Sequence, residues 1–308
     1  MITIFALRKA CLTLVLFLGA SVLSAGHRGV NVSIDDGREP ARCEDIAISI
    51  DGTPAARAQE RLRIAEKPAG PLRIRVPNHS GLRVVGSDRG DFEVQVCKAA
   101  GSEADLTRIS VTQSADEVSV RGPAGERWVA YLLISAPRGA AMSLEAENAP
   151  IGLRGLSGRV TARSINGPIS IQNCTGELDA EAENGPIHLS GGAGRLRIKT
   201  DNGPIGVSLS GSTWSGEGLE ARAVNGPLHL VIPAGYRSGA VVESRGYSPF
   251  HCRGEACSGA RRSWDDAHRR LEIGEGPALL HLSTENGPVS VSAGGRGGDA
   301  EDEDADGD

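Results

Sequence analysis

Apolar and polar residues alternate along most of the chain, and this period of two predicts β-strands. The alternation is most regular after residue 140, where each strand ends at the same motif, Asn-Gly-Pro followed by Ile, Leu or Val. The first copy has Ala in place of Gly. The asparagines of the motif are Asn148, Asn166, Asn184, Asn202, Asn225 and Asn286. The first four are spaced by 18 residues, and the last two follow after 23 and 61 residues.

The strand before each asparagine has small or aliphatic residues at most of its alternate positions. At six, four and two residues before it stand Met142, Leu144, Ala146; Val160, Ala162, Ser164; Leu178, Ala180, Ala182; Leu196, Ile198, Thr200; Leu219, Ala221, Ala223; and Leu280, Leu282, Thr284. A second short strand follows each proline. One such unit is too small to bury its own apolar side, so units must stack about 4.8 Å apart with parallel strands. The pattern predicts an all-β fold, a parallel β-solenoid with coils of about 18 residues.

The motif also predicts a structural role for its asparagines. They fall on the inward parity, so we expect their amides to stack as a ladder of hydrogen bonds between coils. A turn position that simply favours Asn is the alternative. We expect the glycine to adopt the special dihedral angles of a tight turn. Charges of mostly alternating sign stand three positions before the asparagine and are expected to pair between coils. They are Glu145, Arg163, Glu181, Lys199 and Arg222.

The remaining segments differ in composition. Residues 1–25 have the features of a secretory signal peptide, with Arg8 and Lys9 before an apolar run that ends in small residues. An uncleaved anchor is the alternative. We expect residues 26–39 to be a mobile leader, and residues 40–140 to be an irregular β region that caps a solenoid of residues 141–292. Residues 293–308 are expected to be a disordered acidic tail, with seven acids in the last ten positions.

An insertion at about 232–270 interrupts the repeat. Insertions between repeats map to loops on one face, which is commonly the binding face. The sequence therefore places a candidate binding loop here. Its candidate residues are Tyr247, Phe250, Arg261, Arg262, Trp264, Asp265 and His268.

Cysteine usage indicates an oxidising compartment, where disulfides persist. Cys252 with Cys257, and Cys43 with Cys97, are the candidate disulfides, and Cys174 is then the odd cysteine. A zinc site formed by Cys252, Cys257, His251 and His268 is the alternative. Its spacing matches no common zinc finger, and a cysteine pair in an exported protein is more often a disulfide. We therefore expect no metal and no cofactor.

A catalytic reading rests on two acids. Glu183 and Asp201 fall at equivalent positions of successive coils, about 5 Å apart, which matches the carboxylate spacing of a retaining glycosidase. Glu147 and Glu285 occupy the same position of other coils. No aromatic sugar platform accompanies them, which favours an ordinary solvated strand edge. The histidines His188 and His229 would stand two coils apart, too far to share a metal ion.

Three groups of residues carry a resemblance to a known family. They are the repeated Asn-Gly-Pro-Ile units, the segment Ile232-Pro233-Ala234-Gly235-Tyr236, and the segment Ile134-Ser135-Ala136-Pro137-Arg138-Gly139. Together they resemble the bacterial putative-adhesin family of β-strand-repeat domains of unknown function, over roughly residues 125–292. The resemblance implies a β-solenoid exposed in the cell envelope. It supplies no catalytic residues.

Charge and hydropathy narrow the function further. The net charge of −6 is concentrated in the tail, and no basic stripe with interleaved aromatic residues is present, which argues against nucleic acid as a partner. No segment after the signal peptide is long and apolar enough to span a membrane. We expect an exported protein of the periplasm, outer envelope or cell surface, acting as a structural or adhesin-like binding module without enzymatic activity. An envelope protein, a surface glycan or a second copy is the expected partner; a β-helical carbohydrate-active enzyme is the alternative function.

Overall fold

A computed structural model describes residues 30–34, 40–64, 68–77, 80–125, 127–245, 248–265 and 267–293. The segments assigned to the signal peptide and, from residue 294, to the acidic tail lie outside these residues. The structure is 60% strand and 4% helix, so the all-β prediction is confirmed. Within the described residues, helical structure is limited to α1 (Glu103–Leu106), α2 (Glu255–Ser258) and a 3₁₀ turn at Cys43–Asp45. None of the helices in the described part is long and apolar enough to cross a bilayer.

The strands fall into three groups along the chain. Before the repeat lie β1 (Val30–Ile34), β2 (Ile46–Ile50), β3 (Thr53–Pro54), β4 (Ala56–Ile64), β5 (Leu72–Val76), β6 (Leu82–Ser87), β7 (Phe92–Ala100), β8 (Ser110–Gln113), β9 (Glu117–Arg121) and β10 (Trp128–Pro137). The repeat strands are β11 (Met142–Ala146), β12 (Ile151–Arg154), β13 (Arg159–Ser164), β14 (Ile169–Gln172), β15 (Glu177–Asn184), β16 (Ile187–Ser190), β17 (Arg195–Asn202), β18 (Ile205–Ser208), β19 (Gly218–Asn225) and β20 (Leu228–Ile232). The last group is β21 (Gly239–Arg245), β22 (Phe250–Gly254), β23 (Arg261–Trp264), β24 (His268–Ile273), β25 (Ala278–Asn286) and β26 (Val289–Ala293).

Consecutive repeat strands alternate between two large sheets. The strands that precede the asparagines pair in parallel in the first sheet, in the order β25-β19-β17-β15-β13-β11, and β5 and β9 continue this parallel order. The strands that follow the prolines pair in parallel in the second sheet, in the order β26-β20-β18-β16-β14-β12. β22 extends this parallel order at one end, and β6 and β10 extend it at the other. Equivalent residues lie side by side, so that Ala162 neighbours Ala180 and Ala180 neighbours Ile198. Residues that are 18 positions apart in these repeats are therefore paired on neighbouring strands.

The core lies between the two sheets. All the positions six, four and two residues before the asparagines are buried, which confirms the predicted inward face. Ile198 on the first sheet and Ile187 on the second are fully buried. The hydroxyl groups among these positions have partners, since Thr200 Oγ1 donates to the carbonyl of Gly185 at 2.9 Å and Thr284 Oγ1 donates to that of Gly226 at 2.8 Å. These bonds offset the cost of burying a polar group in an aliphatic core.

The parallel array begins well before residue 141. β5 pairs in parallel with β11 and β6 with β12, so residues 72–87 form a layer of the array and are not part of an irregular cap. β9 and β10 add a further parallel layer. The antiparallel strands β4, β7 and β8 complete this end. Sequence reasoning missed these layers because residues 72–87 have the inward period but lack the Asn-Gly-Pro motif.

The segment assigned to a mobile leader contains a strand. β1 pairs antiparallel with β2, and β2 pairs antiparallel with β3, so the three strands form a small separate sheet. The apolar alternation of Val30, Val32 and Ile34 in the sequence accounts for this strand. A second core cluster, which includes Ile46, Ile48 and Tyr131, joins this sheet to the first part of the array.

The insertion is not a loop. β21 pairs in parallel with β25 and β22 with β26, so the insertion builds the last parallel layer of both sheets. The repeat that follows it in the chain, β25 and β26, lies between this layer and β19 and β20. The inward period of Ala240 and Val242, both buried, explains why the segment extends the array. β24 and β23 then continue the first sheet with antiparallel pairing.

The Asn-Gly-Pro corner differs from the expectation in two ways. The asparagines are exposed at the corner and do not face the core. The glycines after Asn184 and Asn202 do not have positive φ angles. A Cβ at Gly185 would lie 2.3 Å from the carbonyl oxygen of Gly167. Glycine is therefore required by the close approach of successive backbones and not by a special dihedral angle.

Candidate functional site

A groove of about 610 Å³ lies on the outer face of the first sheet. It crosses β9, β5, β11, β13, β15 and β17. The charged side chains that line it are Arg75, Glu117, Arg121, Glu145, Glu147, Arg163, Glu181, Glu183, Lys199 and Asp201. We call this surface the charged groove.

The repeat positions these side chains. The groove contains two rows, one from the position three residues before each asparagine and one from the position immediately before it. Ile165 belongs to the second row and is 43% exposed between Glu147 and Glu183. Ile165 and Trp264 are the two large apolar side chains that are exposed in the described part of the chain.

Salt bridges hold much of the charge in the groove. Arg75 pairs with Glu145 at 2.7 Å, and Arg163 pairs with Glu181 at 3.2 Å, both between neighbouring strands. Lys199 instead pairs with Asp201 on its own strand at 3.0 Å. Of the cross-strand pairs predicted within the row of alternating charges, the pair of Arg163 and Glu181 is present. Exposed pairs of this kind contribute little to stability.

The acids of the catalytic alternative lie in this groove. Glu183 and Asp201 are at neighbouring positions of β15 and β17, and Glu147 lies on the same row. Glu183 is exposed, and Asp201 is held by Lys199. Glu285 lies outside the lining and forms a salt bridge with Arg222. A general acid needs burial that disfavours its charged form, which an exposed edge does not supply.

One acid beside the groove is partly buried. Asp179 lies on β15, and its Oδ1 atom is buried with no hydrogen-bond partner among the described residues. Burial and the nearby charge of Glu181 raise the pKa of the Asp179 carboxyl above its ordinary value. The strand pairing places Thr161 and Arg197 on either side.

The insertion forms a second, smaller concave surface at the end of the array. It has a volume of about 230 Å³ and is lined by Phe250, His251, Cys252, Arg253, Arg262 and Trp264. We call this surface the end face. Trp264 is 51% exposed, and its ring centroid lies 5.9 Å from that of Phe250. The guanidinium groups of Arg262 and Arg269 lie 6.0 and 5.6 Å from the Trp264 ring, within range of a cation–π contact.

The other candidate residues of the insertion support the β23–β24 hairpin. Arg261 pairs with Glu272 at 2.9 Å, and His268 lies 3.8 Å from Glu243. Asp265 accepts backbone hydrogen bonds from residues 267 and 268, and these bonds lower the pKa of its carboxyl. The structure therefore brings Phe250, Arg262 and Trp264 together in the end face. Arg261, Asp265 and His268 lie outside its lining. Tyr247 lies outside the described residues.

The cysteines form two disulfides. Cys43 is bonded to Cys97, and Cys252 to Cys257, with Cα atoms 5.3 and 5.7 Å apart. The sulfur atoms of the proposed zinc ligands are thus bonded to each other. The described residues contain no group of three or more His, Cys, Asp or Glu side chains placed to hold a metal ion. Cys174 is buried, with its Sγ atom 3.5 Å from the carbonyl oxygen of Gln172.

Comparison with known proteins gives matches among solved structures only. No family model and no curated protein matches the sequence. A putative cell adhesion protein from Clostridium sporogenes is 10% identical, with a TM-score of 0.30 over 77% of this chain and 100% of that chain. A putative adhesin from Bacteroides fragilis is 13% identical, with a TM-score of 0.25 over 77% and 97%. A putative lipid binding protein from Parabacteroides distasonis is 10% identical, with a TM-score of 0.27 over 76% and 96%.

Sequence reasoning found the acids of the charged groove but not the groove. β9 contributes Glu117 and Arg121 to one end of it, and β9 reaches this position by pairing with β5. No local pattern in the sequence marks that pairing. The row of His188 and His229 is more extended than expected. His251 on β22 belongs to the same row, and Gly206 and Ser290 fill the positions between the histidines.

Proposed function

We propose that this chain is an exported, non-enzymatic binding module of the bacterial cell envelope, built as a parallel β-solenoid, whose charged groove binds an extended segment of a partner protein. The observation that carries the proposal is the exposure of Ile165 in the middle of this groove, between charged rows. An apolar contact flanked by charges is the arrangement that gives a binding surface both affinity and orientation.

The dimensions of the groove fit a peptide better than a small molecule. Six parallel strands spaced by about 4.8 Å give a length of roughly 24 Å, which matches about seven residues of an extended chain. Glu147 and Glu183 flank Ile165 and have no salt-bridge partner among the described residues. They would attract basic residues on both sides of an apolar one. The expected partner segment therefore has Lys or Arg on either side of an aliphatic or aromatic residue.

Several features support the wider proposal. Disulfides persist in oxidising compartments, which fits export to the periplasm, outer envelope or cell surface. The stacked 18-residue units with in-register strands are the arrangement of a solenoid. The solenoid would run from residue 72 to residue 293, with the antiparallel strands closing its ends. The end face is proposed as a second contact surface, and the asparagines 148, 166, 184, 202, 225 and 286 as structural elements.

The test first identifies the partner segment and then measures its binding. A photo-reactive amino acid at position 165 of the mature chain, produced in a bacterial envelope, should cross-link to a protein segment. The same residue at position 224 is the control, since Val224 also precedes a motif asparagine but lies outside the lining. The captured segment is then synthesised, and its affinity should fall at least tenfold for Ile165→Asp and remain unchanged for Val224→Asp.

Two results would overturn the proposal. Equal cross-linking at 165 and 224, or equal affinity of both variants, would remove the groove as the binding surface. The second result concerns the enzyme alternative, which is tested on a panel of envelope glycans. Turnover by the wild type that is lost in Glu183→Gln and retained in Glu285→Gln would make the groove a catalytic site.

A further inference from the structure

The end face carries positive charge that the described residues do not neutralise. Arg253 is exposed and forms no salt bridge within the described residues, and Arg262 donates only to a backbone carbonyl, that of Cys257, at 3.3 Å. His251 adds a third basic side chain, and no acidic side chain lines the concavity. The nearest acids along the chain are Glu255, which is exposed, and Asp265, which bonds to its own hairpin.

The chain leaves the array beside this surface. β26 ends at Ala293, and β22 runs parallel to it, so Arg253 lies opposite Ser292 and Gly254 opposite Ala293. The sequence continues with Gly-Gly-Arg-Gly-Gly and then carries seven acids between Asp299 and Asp308. Neighbouring strands are about 4.8 Å apart, whereas six extended residues span about 20 Å. Because the reach of the chain grows with the number of residues, every acid of the tail is therefore within reach of the end face.

We propose that the acidic segment 299–308 docks on the end face of its own chain, where its carboxylates pair with Arg253 and Arg262 and the backbone covers Trp264. Charge complementarity, the short linker and the position of Ala293 carry this inference. A linker of this length keeps the tail at a local concentration on the order of millimolar, so weak exposed pairs suffice for occupancy. The tail then competes with any outside partner of the end face, and the charged groove is unaffected.

Tryptophan fluorescence measures the docking without an outside ligand. Of the three tryptophans, Trp128 and Trp214 are only 7% and 6% exposed, so quenching by acrylamide reports mainly on Trp264. The mature wild-type chain at low salt should be quenched about twofold less than a variant in which the seven tail acids are changed to their amides. Because salt screens exposed charges, the quenching of the wild type at roughly 0.5 M salt should match that of the tail variant.

Control variants separate tail docking from other effects. Arg253→Gln should give the quenching of the tail variant, and the two changes combined should add nothing further. Arg154→Gln is the matched control, because Arg154 occupies the same row of the second sheet six strands away. Equal quenching of the wild type and the tail variant at low salt would overturn the proposal. So would protection that rises with protein concentration, because the tail of a second copy would then be the occupant. Both outcomes are independent of the cross-linking at position 165.

Discussion

The side-chain amide of Asn184 donates a hydrogen bond of 2.9 Å to the side-chain oxygen of Asn166. The same bond, in the same direction, joins each motif asparagine to the one in the layer before it, at 2.6 to 3.0 Å. The asparagines thus form a continuous ladder along an exposed edge of the array. Because each amide both donates and accepts, an inner member of the ladder takes part in two bonds and the last member in one.

This difference predicts a graded effect on stability. Asn184→Ala removes the bonds to Asn166 and from Asn202, whereas Asn286→Ala removes only the bond to Asn225. We expect the free energy of unfolding to fall by about 1–2 kcal/mol for Asn184→Ala and by about half as much for Asn286→Ala. Urea denaturation measures both. Equal effects would mean that each asparagine acts as an isolated turn residue.

The corner glycines predict a larger effect. A Cβ at Gly185 would lie 2.3 Å from the carbonyl oxygen of Gly167, and the backbone of the neighbouring layer cannot move without disturbing the ladder. Gly185→Ala should lower the free energy of unfolding by about 3 kcal/mol. Gly139→Ala is the control, because a Cβ there has no neighbour within 4 Å and φ is not positive, and it should change stability by less than about 0.5 kcal/mol. A similar melting temperature for both variants would contradict the close approach.

The sequence predicts the inward face of the array and fails at positions that depend on distant pairing. Ile198 and Ala180 could be placed in the core because period-two alternation and an 18-residue repeat together fix face and register. Leu72 could not be placed in the same sheet, because its strand lacks the corner motif. Sequence reasoning named residues of the charged groove and of the end face, but the two concave surfaces themselves were beyond it. Both depend on strands, β9 and β22, whose neighbours are remote along the chain.

Adjacent residues on β17 test the assigned faces directly. Ile198 is fully buried, whereas the Lys199 side chain is 43% exposed and pairs only with Asp201. Ile198→Asp buries a charge without a partner and should cost about 4 kcal/mol or prevent cooperative unfolding. Lys199→Gln should change stability by less than about 0.5 kcal/mol. Circular dichroism melts of the two variants measure this difference, and coincident melts would contradict the assigned faces.

Asp179 predicts a gain of stability that depends on pH. Because burial and Glu181 raise the pKa of its carboxyl, the folded state binds a proton more tightly than the unfolded state. As the pH rises through the interval between the unfolded and folded pKa values, the ionised group increasingly disfavours folding. This destabilisation is complete at about pH 7.

Asp179→Asn should accordingly raise the melting temperature by roughly 1–3 °C at neutral pH, and the gain should shrink as the pH falls and disappear below about pH 3, where the wild-type carboxyl is protonated in both states. Glu177→Gln on the same strand is the control. Glu177 is paired with Arg159 at 2.7 Å, so its neutralisation gives no gain at any pH. Thermal melts of the three proteins across this pH range check the prediction. A gain for Asp179→Asn that persists unchanged at acidic pH would show that packing of the amide, and not removal of a buried charge, is its cause.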